Sequence, residues 1–372
     1  MNEARDIVGI SVPFAAGVAT GAALYPLLSG RLPYITSSIL LILIFITTIL
    51  ARFDKFSGRW LVIAGIFLIT GIFSSLSHSI ASGIPEYESG FISSAAADAV
   101  GTLRSVIDNI PYPSESTAPL VKALLTGDKS DLTKEITGIF RDSGASHILA
   151  LSGLHLGVLY ILLARLTAPL GNSPWIRKLR YSLIIGAALF YSIMTGATPS
   201  IIRAFLFITI NETAKLLGRK REPVRVLLAA LTIQLAIRPD VITSVAFQLS
   251  YMAMAGIFLI FPTLDRIYPM PSCSKFSRFN PFRKIWSAAT LSISCQIFTG
   301  PLAWYYFHSF PKYFILTNLI ALPLTSAIMV LSVATIALSF FGICPEPLVI
   351  LNDHAMQALV FCLKIISRID ES

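Results

Sequence analysis

Long apolar runs, each close to 20 residues, follow one another along most of the chain and are separated by short polar connections. A run of this length forms a helix that crosses the roughly 30 Å hydrocarbon layer of a membrane. The pattern therefore predicts an all-α polytopic membrane protein, a bundle of about 10–11 transmembrane helices with one small helical extracytoplasmic segment. The predicted spans are 7–29, 35–51, 60–80, 147–170, 181–197, 199–216, 223–238, 241–262, 286–305, 313–342 and 347–367.

One of these runs, 313–342, is too long for a single straight span. Asn318 and Pro323 lie in its first half. Because proline removes a backbone donor and disturbs the preceding turn, we expect a broken or re-entrant helix here.

Basic residues concentrate in four connections, 52–59, 177–180, 215–225 and 266–284. With the spans given above, all four connections lie on the same side, which the positive-inside rule makes cytoplasmic. This orientation gives a cytoplasmic N-terminus. It also accounts for much of the net charge of +9, so that charge does not by itself indicate a nucleic-acid partner.

The only sizeable polar stretch is 81–146, which this topology places outside the cell. It carries nine acidic and five basic residues, a balance that repels a polyanion. Helical spacing predicts short helices within it, with Gly127 and Asp128 in a turn. We divide the chain into N-terminal transmembrane helices (1–80), an extracytoplasmic, mostly helical segment (81–146), a transmembrane core (147–343) and a last helix (344–372).

Composition agrees with this architecture, because 55% of the residues are hydrophobic, only 13% are charged, and the mean hydropathy is +0.73. The four cysteines are scattered, and no carboxylate or cysteine at ligand spacing joins the two histidines His147 and His155. We expect no metal, no cofactor and no catalytic residue, and therefore not an enzyme.

Polar side chains interrupt the start of the span 147–170, where His147, Ser152 and His155 replace the usual aliphatic residues. On a continuous helix the two histidines share one face, and Gly153 and Gly157 form a G-x-x-x-G pair on another. Histidine inside a membrane needs water or a hydrogen bond, so the first face suggests a hydrated pathway. A neutral histidine bonded to backbone, and close helix packing at the glycines, explain the same pattern equally well.

Three more polar residues occupy later spans: Arg203, Gln248 and Ser250. Arg203 is either an arginine that snorkels to the outer interface or a fixed positive charge on the wall of a polyanion pathway. Gln248 and Ser250 either bond neighbouring helices or line a hydrated path.

These residues belong to three blocks that occur in a distinctive order. The first combines 123–132, 140–144 and 147–155, the second is Thr198–Ala204, and the third joins Arg238-Pro239 to 247–250. Together they resemble the ComEC-type competence proteins over roughly residues 118–330. The resemblance identifies 147–343 as the ComEC-like competence core. It implies pathway or motif roles for His147, Ser152, Gly153, His155, Arg203, Gln248 and Ser250, and an extracytoplasmic motif at Gly127 and Asp128.

The resemblance implies an inner-membrane channel for single-stranded DNA in natural transformation. The expected partners are membrane lipid, single-stranded DNA, a separate DNA receptor, a nuclease and a cytoplasmic motor. Longer relatives carry an OB-like and a metallo-β-lactamase-like domain, neither of which we expect in this chain. Two alternatives stay open: a transporter of another anionic solute such as nucleotides, and a membrane assembly partner that conducts nothing.

Overall fold

A computed structural model describes residues 2–28, 32–50, 59–81, 90–220, 222–268, 281–308 and 313–371. Most of these residues are helical, and no strand occurs among them. The helices are α1 (Asn2–Leu24), α2 (Leu32–Leu50), α3 (Arg59–Ala81), α4 (Gly90–Asp108), α5 (Thr117–Thr126), α6 (Lys134–Asp142), α7 (Ser146–Leu149), α8 (Gly153–Leu166), α9 (Pro174–Met194), α10 (Pro199–Leu216), α11 (Pro223–Ile237), α12 (Val245–Leu259), α13 (Phe261–Arg266), α14 (Pro281–Phe307), α15 (Phe314–Phe340) and α16 (Glu346–Glu371).

Six stretches of the described chain are helical, long and apolar enough to cross a membrane. This confirms an all-α, multi-pass membrane protein. The remaining five predicted spans coincide with α2, α9, α10, α11 and α14, whose crossing of the membrane stays a prediction. The six stretches are Ile7–Leu27, Val62–Ala81, Gly153–Leu170, Val245–Arg266, Phe314–Phe340 and Glu346–Ile369.

One compact unit comprises residues 1–89 and 206–251. In it α1 and α3 cross so closely that a Cβ added to Gly71 would lie 2.2 Å from the carbonyl oxygen of Phe14. A Cβ on Gly17 would lie 2.0 Å from that of Leu68. Small residues permit this backbone approach, as is common between helices in membranes.

The second compact unit comprises residues 90–205 and 252–372 and contains the hydrophobic core. The short helix α5 is buried along most of its length and packs with α4, α7, α15 and α16. Its aliphatic side chains belong to one hydrophobic cluster with residues of these helices and of α6. The core includes Leu120, Leu124, Phe140, Ile148, Leu149, Ile328, Met356 and Leu359.

Two expectations about helix continuity were wrong. The helix α15 runs unbroken from Phe314 to Phe340 with Pro323 inside it. The predicted span 147–170 is instead interrupted, since α7 ends at Leu149 and α8 begins at Gly153. Proline is tolerated within membrane helices because neighbouring groups and small adjustments satisfy the carbonyl it leaves free.

Candidate functional site

The interruption between α7 and α8 separates the two histidines that a continuous helix would have placed on one face. Ala150 and Ser152 have extended backbones, with ψ values of 131° and 167°. His147 is exposed on the four-residue helix α7, and its Nδ1 lies 3.2 Å from the carbonyl oxygen of Gly144. His155 is buried on α8. The expected shared face of His147 and His155 therefore does not exist.

A capping box begins α8. The Ser152 hydroxyl accepts a hydrogen bond from the Leu154 amide at 3.3 Å. In return, the Ser152 amide donates to His155 Nδ1 at 3.1 Å. Histidine here takes the place that Glu or Gln usually has in this motif. This local exchange explains why the helix starts at Gly153 although the apolar sequence starts earlier.

The capping box also fixes the chemical form of the imidazole. Because Nδ1 accepts the Ser152 amide proton, the neutral ring carries its own proton on Nε2. The His155 side chain is 1% exposed, and its Nε2 has no hydrogen-bond partner among the described residues. A donor N–H is thus left at the start of α8.

The helix α10 places Arg203 directly against the start of α8. A Cβ added to Gly153 would lie 3.0 Å from Arg203 Nη2 and 3.2 Å from the Ala204 Cβ. Gly153 is therefore needed for the approach of α10. Gly157 faces open space, so the two glycines do not form the paired packing face that their spacing suggested.

The turn after α5 contacts the interruption between α7 and α8. Gly127 ends α5 with a φ of 78°, and a Cβ on it would lie 2.4 Å from Leu151 Cδ1. Leu151 lies within the interruption, directly before Ser152. The first and last parts of the first sequence block are thus joined by a steric contact that sequence spacing alone did not reveal.

Asp128 takes part in an ion pair, and its role as a motif residue stays a prediction. Its carboxylate accepts from the Ser130 amide at 3.0 Å and pairs with Arg104 at 2.9 Å. Hydrogen bonding from Ser130, and then the charge of the Arg104 guanidinium, hold the pKa of Asp128 below its usual range. Next to it, Lys122 bridges Asp108 and Asp131 at 2.6 and 2.8 Å, which raises the pKa of the lysine.

Gln248 and Ser250 lie in the other compact unit, on α12. The Gln248 amide donates to the carbonyl of Ile242 at 2.8 Å and so ties the start of α12 to the preceding 3₁₀ turn. Ser250 is half-buried. A pathway role for these two residues stays a prediction.

The geometry around Gly153 suits an anion. The start of a helix carries a partial positive charge. Here a guanidinium and a buried imidazole N–H lie at that same helix start. Phosphate groups favour this combination of arginine and helix N-terminus.

Within the described part of the chain, no group of three His, Cys, Asp or Glu side chains could hold a metal ion.

Comparisons with known proteins find one matching family and several relatives. A family model described as "Competence protein" matches residues 124–372. "ComE operon protein 3" of Bacillus subtilis is 26% identical over 215 residues, which are 58% of this chain and 25% of that protein. "Recombination protein 2" of Haemophilus influenzae is 26% identical over 218 residues, 57% of this chain and 27% of that protein.

A third relative, "Uncharacterized protein YcaI" of Escherichia coli, is 28% identical over 263 residues, which are 68% of this chain and 33% of that protein. The chain thus spans about a third or less of the length of these three relatives. No solved structure matches it.

Proposed function

The chain belongs to the competence protein family, and from that membership we propose that it takes part in DNA uptake as an inner-membrane channel for single-stranded DNA. The N-terminus lies in the cytoplasm, and residues 81–146 begin and end on the outer side. A separate receptor, nuclease and cytoplasmic motor deliver, degrade and pull the strand.

One observation carries this proposal: Arg203 packs against the start of α8 at Gly153. A positive side chain and the positive end of a helix both attract anions, so a phosphate that bonds the guanidinium also lies in the field of the helix start. A strand that moves past this point offers a phosphate with every nucleotide. The site therefore holds the backbone and does not read bases.

The test measures transport of a fluorescent single-stranded oligonucleotide into liposomes that contain the purified protein. A charged hydrogen bond contributes about 1.5–3 kcal/mol, so Arg203→Ala should lower the affinity for the strand about tenfold to a hundredfold. Arg203→Lys should retain part of the affinity, because it keeps the charge but not the planar fork.

The matched control is Arg165→Ala. Arg165 is exposed in the last turn of α8, at the other end of the helix from Gly153 and outside the three sequence blocks. This variant should transport normally. Equal transport by Arg203→Ala, at equal amounts of inserted protein, would refute the role of Arg203. Competition by free nucleotides as strong as that by oligonucleotides would favour the anionic-solute alternative over the DNA channel.

A further inference from the structure

Helices α4 and α5 form an antiparallel hairpin. Two ion pairs show the direction: Asp108 pairs with Lys122, and Arg104 pairs with Asp128. The residues that join the two helices, 109–116, form the tip of this hairpin. The opposite end, where Arg104 meets Asp128, is its open end.

The second helix of the hairpin is enclosed by the rest of its compact unit. All residues of α5 except Ala118 and Pro119 are buried. The helix packs with α4, α7, α15 and α16, and the Tyr191 hydroxyl of α9 donates to the carbonyl of Leu125 at 3.0 Å. Two of the enclosing helices, α15 and α16, form candidate membrane spans. The hairpin therefore lies among membrane helices and not on top of them.

Hydrogen bonds fix the level of the hairpin tip along α16. Asn352 donates to the Tyr112 hydroxyl at 3.2 Å, and the Ser114 amide donates to the Asp353 carboxylate at 3.2 Å. Asp353 is the eighth residue of the candidate span Glu346–Ile369, about 10 Å from its start at 1.5 Å per residue. The tip thus lies well inside this span.

The outer face of the same helices is apolar at this level. On α16, Leu351 and Phe361 stand exposed on either side of the level of the tip, with exposed fractions of 55% and 63%. On α15, Ser332 bonds Asn352 at 3.1 Å, and Val330 in the same turn is exposed. Large apolar side chains on the surface of a membrane span face lipid. The hairpin tip and this lipid-facing surface therefore share one level.

The exposed face of α4 has the opposite character. Its exposed residues lie within one arc of about 160° at 3.6 residues per turn, and so form a stripe along the helix. Each of them is small, polar or charged, and no large apolar side chain described between residues 95 and 145 is exposed. The stripe comprises Ala95, Ala97, Asp98, Gly101, Thr102, Ser105 and Asp108.

This polar stripe reaches far down the hairpin. Asp108, at its lower end, has a side chain that is 53% exposed, and it bonds Lys122. Lys122 follows Thr117 by five residues, about 8 Å along α5, and Thr117 bonds Asp353 at the level of the tip. Charged side chains within a membrane face the protein interior or a water-filled cavity, not lipid. The exposed face of α4 therefore requires water down to this level.

We propose that α4 and α5 form a re-entrant hairpin in the membrane, and that a water-filled vestibule follows the polar stripe of α4 from the open end of the hairpin to its tip. The segment 81–146 then begins and ends on one side of the membrane and dips into it between. The vestibule holds water and small hydrated ions, because the charges on the stripe itself, Asp98 and Asp108, are both negative and disfavour a polyanion. This inference goes beyond the proposed function and does not rest on it.

The test measures the accessibility of single cysteines in the full chain, held in lipid nanodiscs so that a reagent reaches both faces of the bilayer. Asn109→Cys, at the exposed first residue of the tip, should react with the small cationic reagent trimethylammonioethyl methanethiosulfonate within about tenfold of the rate of Lys129→Cys in the exposed turn after α5. Phe361→Cys should react at least about a hundredfold more slowly than Lys129→Cys, because the reactive thiolate needs water. The native cysteines are removed beforehand by Cys273→Ala, Cys295→Ala, Cys344→Ala and Cys362→Ala.

Ser105→Cys, about one turn above Asn109 on the same stripe, gives the same measurement if Asn109→Cys does not fold. Absence of reaction at both stripe positions, with Lys129→Cys reactive, would overturn the vestibule. Reaction of Phe361→Cys as fast as that of Asn109→Cys would show that α16 faces water at this level, and the membrane depth of the tip would then be wrong.

A bulky reagent separates a vestibule from a domain that stands in open water. A maleimide attached to a long polyethylene glycol should modify Lys129→Cys readily but Asn109→Cys at least about tenfold more slowly, because the width of a pore limits what enters it. Equal modification of both cysteines by the bulky reagent would place the tip outside the membrane and refute the re-entrant hairpin. Neither readout involves DNA, so a failure of oligonucleotide transport leaves this inference standing, and the reverse also holds.

Discussion

Replacement of Gly127 by alanine tests the steric contact that joins the turn after α5 to the start of the candidate site. Two separate penalties act at this position. Gly127 has a φ of 78°, in the left-handed region that glycine alone adopts without strain. In addition, the new Cβ would lie 2.4 Å from Leu151 Cδ1 and 2.6 Å from Leu151 Cγ.

The loss in the free energy of unfolding follows from these two penalties. An alanine in the left-handed region costs about 1–2 kcal/mol. Carbon atoms pack at about 3.5–4.0 Å, so Leu151 must move by more than about 1 Å, and such overpacking costs about 1–3 kcal/mol. The variant should therefore lose about 2–5 kcal/mol of the free energy of unfolding.

A matched control separates the two terms. Gly196 has a φ of 77°, and nothing lies within 4 Å of a Cβ added to it. Gly196→Ala should therefore lose only the backbone term of about 1–2 kcal/mol. In Gly127→Ala/Leu151→Ala the clash is removed, so the double variant should be more stable than the sum of the single changes predicts, by about 1–3 kcal/mol.

The assay is reversible unfolding in mixed micelles of increasing dodecyl sulfate content, followed by far-ultraviolet circular dichroism. Transport of the oligonucleotide should decrease in parallel, because Leu151 directly precedes the serine that caps α8. If Gly127→Ala loses no more stability than Gly196→Ala, the contact with Leu151 contributes nothing and the reasoning fails.

Two further predictions concern packing and pH. Gly71→Ala should strongly destabilise the unit that contains α1 and α3, because the new Cβ would lie 2.2 Å from the Phe14 carbonyl oxygen. Gly65→Ala on the same helix, where a Cβ meets nothing within 4 Å, should be neutral or stabilising by up to about 1 kcal/mol; equal unfolding curves would contradict this. The pKa of Asp128 is lowered by Ser130 and Arg104, so its pair contributes stability that is present at neutral pH and is lost as the pH falls through that pKa. Asp128→Asn should therefore reduce the loss of stability on acidification below about pH 5, and an unchanged acid profile would count against the ion pair.

The membrane helices could be predicted from the sequence because a single physical requirement determines them. Backbone groups inside a bilayer must be bonded within the segment, so about 20 apolar residues imply a helix. The same rule gave no information about where α8 begins. Its start depends on the exchange between Ser152 and His155, a histidine version of a motif usually written with Glu. A local pattern of Ser followed three residues later by a polar side chain was the available signal.

Contacts between distant residues could not be predicted. Gly127 was assigned to a turn correctly, but a turn glycine is identified only from its backbone, and its contact with Leu151 depends on how α5 packs. Asp353 was recognisable as a polar residue in an apolar helix. Its partners, Ser114 and Thr117, stand more than 230 positions earlier, and nothing in their own neighbourhood marks them.

Residues 109–117 are the tip of the hairpin that α4 and α5 form, and they bond residues of α16 that follow them by more than 230 positions. This distance along the chain has a consequence for how the protein is made. Residues 109–117 emerge from the ribosome long before Asn352 and Asp353, which bond them from 236 or more positions later in the chain. During synthesis the polar tip at first has no protein partner, because the residues that bond it lie in the candidate span Glu346–Ile369, which is made last. Since unpaired backbone and hydroxyl groups are unfavourable in hydrocarbon, the nascent hairpin should wait at the membrane surface or in the shelter of the insertion machinery. The docking of the tip therefore follows the arrival of α15 and α16 and is a late step of assembly.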